Sequence, residues 1–217
     1  ERYRKSYLSL SDLADLGTIM GNVYHTKDDM IDYVNAFYEG MVTRSEEMKL
    51  HPNYRTGKNY AYLGLAPQFL IFDEYVAFLE MLTTKESTAL LSQLKKIVML
   101  GRQAGYFLIV ACQRPDAKYF GDGIRDNFNF RVGLGRMSEL GYGMLFGSDV
   151  KKQFFQKRIK GRGYCDVGTS VISEFYTPLV PKGYDFLGTI GKLAHIRQDG
   201  QVACGAKATD RKSVCRE

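Results

Sequence analysis

Two short apolar runs, separated by a segment with helical spacing, constrain the fold of this 217-residue chain more than any other feature. The runs are QFLIF at residues 68–72 and YFLIVAC at residues 106–112, and both have the length of a β-strand. Their continuous apolar character predicts strands that are buried on both faces. Between them, apolar residues recur at helical spacing over residues 85–104, and Gly105 follows as a C-terminal cap. The order strand, helix, strand predicts a right-handed parallel crossover and therefore an α/β fold.

The other elements are predicted from apolar spacing, caps and breakers. The inner side of helix 85–104 is predicted to carry Leu90, Leu91, Leu94, Ile97, Val98 and Leu100. The remaining predictions are a helix from Lys27 to about Leu50 capped by Thr26, a loop over 51–67, a short helix near 122–127, a strand over 129–135, a helix over 139–146 capped by Ser138, a hairpin around Gly168 in 161–178, and a final helix over 184–195. We expect one domain over 1–196 and a polar, frayed tail over 197–217.

The composition is that of a globular protein, with 45% hydrophobic and 25% charged residues. The apolar stretches are short and interrupted, so the sequence predicts neither a membrane span nor a secretory signal. Four cysteines show no CxxC pair and no histidine at metal-ligand spacing. This pattern argues against a zinc site and a disulfide framework, and predicts reduced thiols in a cytosolic protein.

The net charge of +6 permits an anionic partner without requiring one. The segment KKQFFQKRIKGRG, residues 151–163, gathers six basic side chains around two phenylalanines. Such a segment can hold phosphates, or it can be a solvated helical face. The sequence leaves both interpretations open.

Two acids, Asp73 and Glu74, directly follow the first strand. A buried carboxylate is costly without a cation or hydrogen-bond donor, so this pair is expected to have a partner. Ligands of open parallel sheets gather at the carboxyl ends of the strands, where Gln113 also follows the second strand. An apolar strand that ends in Asp-Glu is the arrangement by which nucleoside triphosphatases hold Mg²⁺ and the attacking water. Many strands also end in acids by chance.

A second motif, GRQAGYFLIVACQRP at residues 101–115, makes the pattern more specific. Together with FLIFDEY it resembles the FtsK/SpoIIIE family of double-stranded DNA translocases, which carry a similar Gly-Arg-x-x-Gly, an apolar strand and x-Gln-Arg-Pro. The segments SDLADLG, MVTRSEEM and TGKNYAYLGLAPQFLIFDE resemble the TcpA-like coupling-protein branch of conjugative elements. GIRDNFNFRVGLGRMS and GRGYCDVG resemble later parts of the motor, so the resemblance covers roughly residues 11–180. It implies a RecA-like P-loop NTPase core with a mainly parallel sheet, truncated at the N-terminus, and a C-terminal β-hairpin.

The resemblance also implies roles for four residues. Asp73 would hold Mg²⁺, Glu74 would be the general base for the attacking water, and Gln113 would be the γ-phosphate sensor. Arg102 would reach the nucleotide of a neighbouring subunit, which implies a ring, most simply a hexamer. Arg102 and Gln113 also have simpler interpretations, as a helix C-terminal charge and as a loop cap. The sequence does not decide whether Arg114 is a surface charge or a DNA-facing one.

The implied cofactors are ATP and Mg²⁺, bound by the full-length parent protein. The implied partners are double-stranded DNA, contacted without regard to sequence, other copies of the chain, and relaxase and secretion-channel proteins. The parent would lie in the cytoplasm at the inner face of the membrane through an N-terminal anchor, with no membrane contact by this part of it.

The phosphate-binding sequence G-x-x-x-x-G-K-[ST] does not occur in these residues. TGKN at 56–59 and GKL at 191–193 lack the required spacing. The chain is therefore expected to bind and hydrolyse little nucleotide by itself and to expose apolar sheet edge that favours self-association. Three hypotheses remain. The first is part of an ATP-driven double-stranded DNA translocase, for conjugative transfer or for chromosome or plasmid movement. The others are an inactive DNA-binding or ring-assembly module and a RecA-like ATPase that moves protein or single strands.

Overall fold

The computed structural model describes residues 23–120, 124–148, 150, 154, 159–169, 171–186, 188, 189 and 192. Within them, Tyr24–Tyr184 form one compact unit. Its elements follow in the order α1 (Lys27–Leu50), β1 (Gln68–Phe72), α2 (Tyr75–Glu80), α3 (Thr84–Ala104), β2 (Tyr106–Val110), α4 (Ala117–Phe120), β3 (Arg131–Leu134), α5 (Glu139–Phe146), β4 (Arg162–Asp166) and β5 (Ile172–Tyr176). Single turns of 3₁₀ helix lie at Tyr60–Leu63, inside the predicted loop, and at Arg125–Asn127.

The predicted parallel crossover is confirmed. Strands β1 and β2 pair in parallel, with Gln68 opposite Tyr106 and Phe72 opposite Val110. The connection contains two helices and not one, because α2 begins directly after the acid pair. Six residues are too few to show a helical period, so α2 could not be predicted from apolar spacing.

Local capping fixes where the two long helices begin and end. The Thr26 side chain accepts a hydrogen bond from the Asp29 backbone N–H, as expected for the cap of α1. Helix α3 begins one residue before its predicted start, after a capping box of Thr83 and Glu86. An ion pair of 2.9 Å between Lys27 Nζ and Glu86 Oε1 joins the starts of the two helices.

The core lies on one face of the β1–β2 sheet, so the prediction of strands buried on both faces is wrong. Leu70 and Phe72 are buried against the helices, whereas Phe69 and Ile71 are 51% and 66% exposed. Helices α1 and α3 cover a single face, and alternate side chains of a strand point to opposite faces. Within the described residues the second face therefore remains open to solvent.

Two smaller predictions also need correction. Leu100 is 60% exposed and does not lie on the inner side of α3; Gly101 is buried there instead. Strand β2 ends at Val110, so Ala111 and Cys112 follow the strand and do not belong to it.

The second sheet is antiparallel, in the order β3–β4–β5. The predicted hairpin is confirmed, with Gly168 at φ 80° in the connection between β4 and β5. Ser138 caps α5 as predicted, through a hydrogen bond to the Gly141 N–H. This helix and the sheet share a small core of Tyr142, Phe146, Tyr164 and Ile172.

Several predictions fall largely outside the described residues. These are the basic segment at 151–163, part of the short helix near 122–127, the helix over 184–195 and the tail over 197–217. The division at residue 196 therefore stays a prediction.

Candidate functional site at the carboxyl ends of the strands

The acid pair lies between two backbone hydrogen bonds that extend the β1–β2 ladder. The Ala111 N–H donates to the Phe72 carbonyl at 2.8 Å, and the Tyr75 N–H donates to the Ala111 carbonyl at 3.1 Å. Asp73 and Glu74 occupy the chain between these two bonds. The backbone beside both acids is therefore fixed to the carboxyl end of β2.

Glu74 turns the chain from β1 into α2 in a left-handed conformation, with φ 55° and ψ 48°. Among the described residues it is the only non-glycine residue with a positive φ. This conformation is unfavourable for a side chain with a Cβ, and such strain concentrates at functional sites. The surrounding structure must therefore hold it in place.

Tyr75, the next residue, anchors this turn. Its ring is 1% exposed, and its hydroxyl donates to the Tyr119 carbonyl at 3.2 Å. Burial raises the pKa of the Tyr75 hydroxyl above its usual range, so this group stays protonated and keeps donating its hydrogen bond. The buried tyrosine fixes the position from which Glu74 projects.

Both carboxylates are exposed, which corrects the expectation that a buried pair needs a counterion. Neither Asp73 nor Glu74 forms an ion pair or side-chain hydrogen bond among the residues that the structure describes. Both side chains lie beyond the end of β1 and are open to solvent. Their oxygens are therefore accessible to a ligand.

The segment after β2 brings further polar groups to the same edge. Gln113 is exposed three residues beyond β2, next to exposed Arg114, while Pro115 is buried and anchors the loop. The sequence thus correctly placed Gln113 at the carboxyl end of the second strand.

Cys112 is a neighbour of Glu74 that sequence reasoning did not assign to the site. Burial raises the pKa of its thiol; a backbone hydrogen bond with Arg114 lowers it in part, and the charge of Glu74 raises it further. Cys112 is a free cysteine and is neutral at pH 7 in this environment. Its position across the ladder from Glu74 follows only from the strand register, which the sequence does not state.

Arg102 is not brought together with the acids. It lies exposed in the last turn of α3, beside the start of β2, whereas Asp73 follows the end of β1. The five paired residues of the two strands separate these positions by about 16 Å at 3.3 Å per residue. Arg102 therefore cannot act on a group bound at the acid pair of its own chain.

The glycines of GRQAG have structural roles. A Cβ on Gly101 would lie 2.2 Å from the Tyr106 carbonyl oxygen. Gly105 ends α3 at φ 78°, and a Cβ there would lie 2.5 Å from the Tyr60 ring. These glycines allow α3 to turn sharply into β2.

The donor set at this edge fits a cation that keeps most of its own water. In the described part of the chain, no three His, Cys, Asp or Glu side chains cluster in a way that could hold a metal. Mg²⁺ is commonly held by one or two carboxylates together with substrate phosphates, and Asp73 and Glu74 offer two exposed carboxylates. None of the described helices is long and apolar enough to cross a membrane.

A curated relative decides the family. The FtsK domain-containing protein YdcQ of Bacillus subtilis (strain 168) is 55% identical to this chain over 181 residues, which is 83% of the chain. The chain belongs to the FtsK domain family. It spans 38% of the length of that relative. No family model matches the sequence.

Solved structures show the same fold at lower identity. The conjugation coupling protein TcpA of pCW3, in a monomer form with ATPγS, matches 70% of this FtsK-domain chain and 44% of its own chain, with a TM-score of 0.55 and 18% identity. The cytoplasmic domain of the type VII secretion ATPase EccC of Thermomonospora curvata matches 70% of the chain and 18% of its own, with a TM-score of 0.54 and 21% identity. EssC (ATPases 2 and 3) of Geobacillus thermodenitrificans matches 80% of this chain and 31% of its own chain, with a TM-score of 0.51 and 14% identity. The fold is thus that of the RecA-like P-loop ATPase domains, as predicted.

Proposed function

We propose that this chain is the strand-end part of an ATP-driven motor that moves double-stranded DNA. The observation that carries the proposal is the exposed pair Asp73 and Glu74, fixed by the β1–β2 ladder beside the segment that leads to Gln113, in a chain of the FtsK family. Conjugative transfer is the process we favour, because TcpA, a conjugation coupling protein, has the same fold.

In this proposal each polar group at the edge has one task. Asp73 holds the cation of a magnesium nucleotide, and Glu74 accepts the proton of the attacking water. Gln113, which follows the next strand, would be the sensor of the γ-phosphate. Bound Mg²⁺ supplies the positive charge that neutralises the phosphates. Glu74 is exposed at the left-handed turn into α2, so its carboxylate is accessible for this task.

Arg102 requires a second subunit in this proposal. It lies at the opposite strand edge from Asp73, so it can stabilise transition-state charge only at the nucleotide of a neighbour. This head-to-tail arrangement closes into a ring, for which a hexamer is the proposed state. Relaxase and secretion-channel proteins, and a place at the inner face of the cell membrane, stay predictions.

The alternative is a DNA-binding or ring-assembly module without turnover. The specific observation in its favour is that G-x-x-x-x-G-K-[ST] is absent from the 217 residues, so these residues lack the usual cradle for the β- and γ-phosphates. We accordingly expect the chain by itself to bind nucleotide weakly.

ATP hydrolysis by the full-length protein, measured with and without double-stranded DNA, tests the proposal. The Glu74→Gln variant should lose at least about 10²-fold in turnover, the usual size of a general-base contribution. Glu39→Gln, an exposed glutamate on α1, is the matched control and should retain full turnover. Mixing Arg102→Ala protein with Glu74→Gln protein should restore part of the activity. In a mixed ring, an Arg102→Ala subunit keeps its own Glu74 and can receive Arg102 from a neighbouring Glu74→Gln subunit. DNA-stimulated hydrolysis that is unchanged in Glu74→Gln would contradict the proposal, and no hydrolysis by the wild-type protein would favour the assembly module.

A further inference from the structure

A tight turn in the loop before β1 holds two cationic side chains next to each other. The Lys58 N–H donates to the Arg55 carbonyl at 3.1 Å, so these residues are the first and last of a four-residue turn. Gly57, at the third position, has φ 83°, which glycine adopts without strain. The turn geometry therefore brings both cations to one point on the surface.

The turn is anchored to the body of the domain. The Gln103 side-chain amide donates to the Lys58 carbonyl. Tyr60 packs its ring edge-on against Phe107 at 5.9 Å between centroids and lies over Gly105. The Asn59 side chain caps the 3₁₀ turn that follows, through the Ala61 N–H. These contacts make the turn a fixed platform at the start of the strands, the edge opposite Asp73.

Both cations also contact the same exposed aromatic ring. The Arg55 guanidinium carbon is 6.0 Å and the Lys58 Nζ is 5.6 Å from the centroid of Tyr62, which is 44% exposed. Among the described residues, neither cation has an ion-pair partner. Two positive charges are thus held together without a carboxylate to neutralise them.

We infer that Arg55, Lys58 and Tyr62 form a surface that binds the phosphates of a nucleic-acid backbone. Residues 48–72 contain no Asp or Glu, so no carboxylate within this stretch of the chain offsets the two charges. A guanidinium binds phosphate in a bidentate manner, and the Tyr62 hydroxyl is a further donor. Lysine is depleted at protein–protein interfaces, whereas protein–DNA interfaces are strongly positive. The inference rests on the proposed function in taking double-stranded DNA as the polymer.

Fluorescence anisotropy of a labelled DNA duplex, titrated at several salt concentrations, tests this surface. The Arg55→Gln/Lys58→Gln double variant should bind more weakly, and the slope of log K against log [salt] should fall by about 1.8, at about 0.9 for each phosphate contact. The control is Lys85→Gln/Lys95→Gln, which removes two exposed charges from α3 and changes the net charge equally. This control should keep the wild-type slope. A third variant, Gly57→Val, keeps both cations but strains the turn, and should also weaken binding.

The outcomes separate this inference from the proposed function. Wild-type protein that does not bind duplex at low salt would refute both. If wild-type protein binds duplex and both double variants weaken that binding equally, then only the net charge matters. That result would refute the inferred phosphate-binding surface but not the proposed DNA binding. If the Arg55/Lys58 variant keeps its DNA affinity but changes the oligomeric state in sedimentation, the surface binds a second copy of the chain and the inference is wrong. Thermal denaturation of each variant confirms that the fold is retained.

Discussion

Replacing Glu74 by glycine should leave the domain more stable than replacing it by glutamine, although both changes remove the proposed general base. Glu74 has φ 55° and ψ 48°, close to the centre of the left-handed region. A residue with a Cβ pays roughly 1–2 kcal/mol for that conformation, and glycine does not. Glycine loses about 0.5–1 kcal/mol through its greater freedom in the unfolded chain. Removing the Cβ at position 74 is therefore expected to stabilise the fold by about 0.5–1 kcal/mol relative to a residue that keeps it.

The glutamine variant supplies the matched reference. Glu74 precedes the first residue of α2, and a negative charge there is favourable by about 0.3–1 kcal/mol. Glu74→Gln and Glu74→Gly both lose this term, but only glycine removes the Cβ. The Glu74 side chain makes no capping hydrogen bond, so neither variant loses one. The difference between them isolates the backbone strain.

Urea denaturation followed by circular dichroism measures this difference. Glu74→Gly should unfold at a higher urea concentration than Glu74→Gln with an unchanged m-value, and should melt about 2 °C higher for a domain of this size. The Glu74→Gly variant should be as inactive as the Glu74→Gln variant in the ATP hydrolysis assay. Equal midpoints for the two variants, or a lower one for glycine, would refute the account of Glu74 as a strained functional residue.

Three further predictions concern the helices that carry the strands. Thr83→Ala removes the capping box of α3 and should cost about 1 kcal/mol in urea denaturation, whereas Thr84→Ala, inside the helix, should cost less. Hydrogen bonds from Thr83 and Lys27 lower the pKa of Glu86 from 4.5 to about 2. Because the folded pKa is the lower one, the stabilisation from this group is present above pH 4.5 and is lost as the pH falls towards 2; Glu86→Gln should flatten that part of the stability–pH profile. Gly101→Ala should destabilise the domain by about 1–3 kcal/mol, since its Cβ would lie 2.2 Å from the Tyr106 carbonyl; a midpoint equal to wild type would show that α3 can shift.

The sequence predicted best those features that depend only on residues close together in the chain. Thr26, Ser138 and Gly105 cap their helices as expected because a cap depends on the hydrogen bonds of its own few residues. The order of β1, α3 and β2 likewise predicted a parallel pair, because a helix is the usual crossover connection between two parallel strands. The motif resemblance to the FtsK family also came from residue order alone.

Which residues of the strands are exposed could not be predicted from the local sequence. Phe69 and Ile71 belong to a continuous apolar run, and nothing in that run states that only one face is covered. Burial depends on which elements pack against the sheet, and here α1 and α3 lie together on one side. The acids were misjudged for the same reason, because a carboxylate at the end of a strand is buried only if something covers that end.

The sequence by itself thus determined the long helices, the order of the strands, the parallel pairing of β1 with β2 and the residues that follow each of these two strands. Only the tertiary structure decided the distances between them. It placed Arg102 at the opposite edge from Asp73, set Cys112 beside Glu74, and brought Arg55 and Lys58 over Tyr62. The physical reason is that hydrogen bonds within a turn or helix depend on neighbours in sequence, whereas strand register and packing join residues that the sequence keeps far apart.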